Sequence, residues 1–259
     1  MTDGNHTVGG ATAAAGAPPT RRPLWWGHPV REHGWPLELA SLLADPVWRG
    51  VGVPAGERRP VLLIPGFMAG DSSLGTMARW LRRQGYRVEL SGIRWNVGCA
   101  DRILAGVQVR LQRLYAEARE PVVLVGHSRG GLLANALAGL QPEQVAKVVT
   151  LGSPLADNFD VAALTSVAVA GARRFEYALH PGSRERGCFT GACGCSYVQG
   201  TEAALGSIPL TCVVTQDDGV AAPRSCTLPG ARIRQVRGTH IGLAWNPQVY
   251  RVLAEELAR

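Results

Sequence analysis

Pro121-Val122-Val123-Leu124-Val125-Gly126-His127-Ser128-Arg129-Gly130-Gly131 runs from unbroken apolar side chains into a glycine-rich turn. An apolar run without polar alternation suits a strand buried on both faces, as parallel strands under helices are. Within the segment lies the pattern Gly-x-Ser-x-Gly, with the strand directly before it and a predicted helix over 130–139 directly after. A serine hydroxyl lifted out of a sheet on such a sharp turn leaves no space for side chains two residues to either side. Gly126 and Gly130 supply that space, and Gly131 and Ala134 let the helix pack close to the strands. The helix N-terminus aims backbone N–H groups at any negative charge forming beside Ser128.

Outward from this segment, short β-branched apolar runs alternate with stretches of helical periodicity. Strands are predicted at 60–64, 86–90, 121–126, 145–151, 210–214 and 233–236. Leu74, Met77 and Leu81 recur at helical spacing up to Gly85, and Ile103, Val107, Leu111 and Leu114 make a second core stripe. A last helix is predicted from Pro247 to Leu257, with Asn246 as N-cap and Pro247 at its first position. The alternation implies an α/β fold with a mostly parallel central sheet flanked by helices.

Residues 1–22 are rich in Gly, Ala, Thr and Pro and read as a flexible tail, leaving 23–259 as one domain. Two stretches of that domain fall outside the repeat. Residues 23–59 contain Trp25, Trp26, Trp35 and Trp48 and are expected to wrap an edge of the sheet through aromatic packing. Residues 156–207 are too long for a connection between helix and strand and are expected to form a cap over the sheet.

A chain of 259 residues that is 46% hydrophobic and 18% charged supports a sizeable core and excludes the disordered class. The net charge of +7 comes almost wholly from arginines scattered along the chain, with Lys147 the sole lysine. Scattered charge of this kind points to no nucleic-acid partner. No run approaches the roughly 18 apolar residues of a membrane span, and no charged start precedes an apolar core. No stable membrane insertion is therefore expected, and a cytoplasmic location is. The six cysteines are Cys99, Cys188, Cys193, Cys195, Cys212 and Cys226. Thiols are favoured for a chain without an export signal, with a local disulfide as the alternative. Cys188, Cys193 and Cys195 lack the second, separated ligand pair of a structural zinc site, so no metal is expected.

A serine hydroxyl is a poor nucleophile at neutral pH and needs a base to take its proton and later return it. Of the six histidines, His6, His28 and His33 lie in the N-terminal stretches, His180 in the insertion, and His127 beside Ser128 but held away by the turn. His240 in Gly238-Thr239-His240 follows the last predicted strand and precedes the last helix, which makes it the candidate base. The strand before that one is followed by Asp217-Asp218-Gly219. Gly219 permits a tight turn that brings a short carboxylate to the imidazole, so Asp218 is the candidate orienting acid. Asp217 is the nearest alternative, and Asp157 and Asp160 are more distant ones. The backbone N–H groups of Phe67, in Pro65-Gly66-Phe67-Met68-Ala69-Gly70, and of Arg129 are the candidate oxyanion donors. Phe67 and Met68 would line the substrate pocket.

With Val61-Leu62-Leu63-Ile64-Pro65-Gly66-Phe67, Leu124-Val125-Gly126-His127-Ser128-Arg129-Gly130-Gly131, Leu151-Gly152-Ser153-Pro154, Asp217-Asp218-Gly219-Val220 and Gly238-Thr239-His240-Ile241-Gly242-Leu243 in place, the chain resembles bacterial α/β-hydrolases of the serine esterase and lipase kind. The resemblance covers roughly 59–257. It implies an α/β-hydrolase fold, no cofactor, and hydrolysis of small-molecule esters through an acyl-enzyme on Ser128, with Asp218, His240, Phe67 and Arg129 in the roles above. Two positions depart from the pattern. Pro65-Gly66 stands where many lipases carry His-Gly, and Arg129 stands where Met, Leu or Gln is common, which opens the option of an acidic acyl or phosphate-bearing substrate. An acyltransferase, a thioesterase or a biosynthetic lyase would use the same three residues.

Overall fold

The computed structural model describes residues 29–185, 193–204, 206 and 208–259. The expected tail, His6, His28, Trp25, Trp26 and Cys188 lie outside the described residues. Six strands form one sheet: β1 (Pro60–Ile64), β2 (Arg87–Leu90), β3 (Val122–His127), β4 (Val145–Leu151), β5 (Leu210–Thr215) and β6 (Arg232–Val236). They lie in the order β2-β1-β3-β4-β5-β6, and every neighbouring pair is parallel. All six carboxyl ends therefore point to one edge, where the loops that follow them meet.

Side chains alternate between the two faces of each strand, so the apolar runs serve two cores. Val61, Leu63, Val123 and Val125 face one way, against α2 (Gly75–Arg83) and α8 (Pro247–Leu257). Leu62, Ile64, Val122 and Leu124 face the other, against α3 (Ala100–Ala118) and α4 (Arg129–Leu140). Asn246 caps α8 as its position predicts, its Oδ1 accepting the Gln248 N–H at 2.9 Å.

The N-terminal segment departs from the expected edge position. Its helix α1 (Trp35–Ala44) and the 3-10 turn Pro46–Arg49 pack on the α2 and α8 face, with Leu42 and Val47 in that core. The reason is a polar anchor inside an apolar layer: the buried indole of Trp80 donates to the Val47 carbonyl at 2.8 Å. Trp35 stacks on Trp245 with ring centroids 5.0 Å apart, and Arg83 lies over the Trp48 ring.

The long connection between β4 and β5 divides in two. Helices α5 (Ala163–Leu179) and α6 (Pro181–Glu185) pack on each other. Helix α7 (Ser196–Ala203) instead lies directly on α4 and belongs to the helical layer. Its closeness depends on glycines: a side chain at Gly139 would strike the Gly200 carbonyl, and one at Gly200 would strike the Ala136 carbonyl. Gly139→Val is therefore expected to cost about 1–3 kcal/mol by forcing the two backbones apart. A drop of several degrees in Tm in thermal unfolding would show it.

Candidate active site

Ser128 joins β3 to α4 with φ 51° and ψ −123°, a conformation that L side chains adopt only under strain. Two glycines make the turn possible, though by a different contact from the one the sequence suggests. A side chain at Gly126 would collide with the backbone of Gly130 and Gly131, and one at Gly130 with the carbonyls of Ile64 and Pro65. They let the start of α4 press against β3 and β1.

His240 follows β6, and Asp218 follows β5; both are almost fully buried. The His240 Nδ1 and the Asp218 Oδ2 are 2.8 Å apart. The other oxygen, Oδ1, accepts the N–H groups of Val220 at 2.9 Å and Ala221 at 2.7 Å. One oxygen is thus fixed by backbone and the other is aimed at the imidazole. Burial pushes the His240 imidazolium down, but the charge and hydrogen bond of Asp218, joined by the charge of Glu32, outweigh it and raise the pKa. Asp217 points away to an exposed ion pair with Arg31 at 2.9 Å. Asp160 pairs with Arg224 and accepts from Ser225, and Asp157 accepts the Phe159 N–H, so neither alternative meets the imidazole.

His127 is closer to this pair than the sequence suggests. Its Nε2–H donates to the His240 carbonyl at 2.9 Å, and the two rings lie 5.0 Å apart. Burial, with the neighbouring His240 adding to it, lowers the His127 pKa to about 4, so the ring is neutral at physiological pH.

Ser128 and His240 open on a common cavity of about 660 Å³, lined also by Phe67, Met68, Leu132, Leu164 and Val169. Among the described residues the Phe67 N–H has no hydrogen-bond partner, and Arg129 is the first residue of α4, ahead of the intrahelical ladder. Both candidate donors therefore keep their N–H groups available.

The Arg129 guanidinium is committed to the protein. It donates to the carbonyls of Asn96 at 3.1 Å and Gly98 at 2.6 Å, and burial lowers its pKa. Asn96, fully buried, donates from Nδ2 to the Pro65 carbonyl at 2.8 Å, while its own carbonyl accepts the Met68 N–H at 3.1 Å. Arg129 and Asn96 together brace the Phe67 loop.

Three residues escape sequence reading. Asn96 is one, and Glu32 and Glu38 on the N-terminal segment are the others. Glu32 accepts backbone N–H groups from Gly219, His240 and Ile241, and Glu38 accepts from Thr239 and Asn246. Nothing local marks them, because their partners lie at the far end of the chain. Among the described residues no group of three or more His, Cys, Asp or Glu side chains could hold a metal ion, and no helix is long and apolar enough to cross a membrane.

A family described as alpha/beta hydrolase fold matches residues 118–175, the stretch holding β3, the Ser128 turn, α4 and β4. A triacylglycerol lipase of Burkholderia plantarii is 31% identical over 126 residues, 44% of this chain and 34% of the lipase. A triacylglycerol lipase of Pseudarthrobacter phenanthrenivorans is 33% identical over 112 residues, 39% of this chain and again 34% of the lipase. The matched part thus spans about a third of either lipase's length. Among solved structures, a monoacylglycerol lipase of Paleococcus ferrophilus superposes with a TM-score of 0.53 at 18% identity, covering 79% of this chain and 96% of that one. A mature Bacillus licheniformis lipase gives a TM-score of 0.55 at 14% identity, covering 80% and 94%. The sheet order, the strained serine turn and these likenesses define the class: the chain is a protein of the α/β-hydrolase fold. Within that class, it is similar over part of its length to bacterial triacylglycerol lipases.

Between pH 6.5 and about 4 the unfolded chain takes up a proton at His127 that the folded chain refuses. The sign follows: this contribution is complete above the unfolded pKa and is lost as pH falls, by about 3 kcal/mol in total. His240, with its folded pKa raised, acts in the opposite sense and at higher pH, above the unfolded value of 6.5. Denaturant midpoints measured from pH 7 to 4 are expected to fall more steeply for the native chain than for His127→Gln.

Proposed function

We propose that the protein is a serine hydrolase of carboxylic esters, with Ser128 as nucleophile, His240 as general base and Asp218 as the acid that orients it. The observation that carries this reading is the buried Asp218–His240 pair at 2.8 Å, opening on the same apolar cavity as a serine held on a strained strand-to-helix turn. The bacterial lipases similar to this chain support it.

With Nδ1–H directed to Asp218, the His240 Nε2 is the nitrogen left to accept the Ser128 proton as Oγ attacks the ester carbonyl. The oxygen turns into an oxyanion, held by the N–H groups of Phe67 and Arg129. Collapse of the tetrahedral intermediate passes the proton from His240 to the leaving alcohol and leaves an acyl-enzyme. Water, deprotonated by the same imidazole, then releases the acid and restores Ser128. Besides the ester and water, each step draws on the chain's own side chains and backbone. Phe67, Met68 and the α5 residues Leu164 and Val169 favour an apolar acyl group, and α5 serves as the cap over it. A cytoplasmic location goes with this reading.

The purified protein is expected to react with a fluorophosphonate probe and to release p-nitrophenol from p-nitrophenyl esters. Ser128→Ala should lose at least about 10³-fold in kcat/KM and all labelling, and Asp218→Asn should lose on the order of 10³–10⁴-fold with the fold intact. Equal labelling of the native chain and Ser128→Ala would remove the assignment. Product analysis with water and alcohol acceptors separates hydrolysis from acyl transfer, since a transferase yields no free acid.

A further inference from the structure

We propose that Glu32 is a positioning residue for the acid–base pair: one buried carboxylate from the N-terminal segment that clamps the Asp218 turn to the His240 turn. The inference rests on reading Ser128, Asp218 and His240 as a triad.

Glu32 sits in the 3-10 turn Pro29–Gly34 and is 7% exposed. Its Oε1 accepts the N–H of Gly219 at 2.8 Å and of His240 at 3.0 Å, and its Oε2 accepts the N–H of Ile241 at 2.8 Å. Gly219 directly follows Asp218, so a single rigid carboxylate holds the backbone on both sides of the imidazole–carboxylate hydrogen bond. Hydrogen bonds to an ionised acceptor are the stronger kind and tolerate little displacement. The two turns are otherwise joined at their base by the Thr215 hydroxyl, which donates to the Gly238 carbonyl at 2.7 Å.

Ordinary structural anchoring would not need the carboxylate at this place. Glu38 supplies such anchoring to the same loop: it is half-buried and accepts the Thr239 N–H and hydroxyl at 2.8 Å and the Asn246 Nδ2 at 3.0 Å, hydrogen bonds that go to neither His240 nor Gly219. Glu32 instead grips His240 itself, and its charge lies close enough to favour the imidazolium. The titratable groups facing His240 are then Asp218 from the β5 loop, His127 from the serine turn and Glu32 from the N-terminal segment. Two of the three carry negative charge, and His127 is neutral. A base flanked in this way holds its proton more firmly once it has taken it from Ser128.

The sign is fixed by that charge. Removing it withdraws support from the protonated ring, so the acidic limb of the kcat/KM profile moves to lower pH. In Glu32→Gln that limb is expected to move down, with kcat and the rate of fluorophosphonate labelling reduced about 10- to 100-fold, since a misplacement near 1 Å costs as much, and with KM changed by less than about twofold. Glu32→Asp keeps the charge and shortens the reach, so its rate should fall while the limb stays in place. Glu38→Gln, the control for losing a carboxylate from the same segment, should lower Tm with the limb unmoved. Wild-type rate and an unshifted limb in Glu32→Gln would overturn the proposal, as would failure of both Glu32 variants to fold, which would make Glu32 a folding residue. Labelling of Ser128→Ala as fast as the native chain would instead sink the triad reading, so the two failures are distinct.

Discussion

The architecture at the carboxyl edge of the sheet depends on keeping one hydrogen-bonded pair, the Asp218 carboxylate and the His240 imidazole, out of water. Withdrawing a carboxylate from solvent is unfavourable by several kcal/mol unless its lone pairs are occupied and its charge is answered. Here every oxygen is occupied: two backbone N–H groups hold one, and the imidazole takes the other. Parallel pairing of β5 with β6 brings both turns to the same edge before any side chain contributes. Between that pair and the serine turn lies the end of β4. Gly152 adopts φ 59° there, and a side chain at this position would lie 3.0 Å from the His240 Nδ1 and 3.1 Å from the Asp218 Oδ2. The missing side chain leaves room for the pair.

The opposite side of the cavity is organised by the same need to satisfy buried polar groups. The Phe67 loop leaves the sheet after β1 with few bonds of its own, and its shape is set by Asn96 and by the side chain of Arg129. A guanidinium engaged with two backbone carbonyls acts as a brace. That explains an arginine beside Ser128 without requiring a charged substrate. It also links the two candidate oxyanion donors through Asn96, whose carbonyl accepts both the Arg129 guanidinium and the Met68 N–H. Preorganised donors of this kind lose little to rearrangement when charge develops.

Much of this was legible in the linear order of residues. Apolar runs without alternation gave parallel strands, and a glycine-flanked serine directly between strand and helix marked the turn. Asp218 was separable from Asp217 by the glycine that follows it, and the structure brings Asp218 and not Asp217 to the imidazole. Contacts across the chain were not legible. Glu32 lies 187 positions from Gly219 and 208 from His240, and no local periodicity distinguishes it from a solvated glutamate. The edge position expected for the N-terminal segment gave way to packing on α2 and α8 because the Trp80 indole needed a buried acceptor, which Val47 supplies. Likewise, the long insertion read as one cap, whereas Gly139 and Gly200 draw its last helix onto α4.

The sequence by itself determined which chemical groups stand at the ends of which strands, since strand period, turn glycines and chain order are all local properties. Only the tertiary structure decided how those groups are held, because a buried carboxylate or guanidinium finds its partners by proximity in space. A helix propensity or a turn preference carries no information about which distant backbone N–H will need an acceptor.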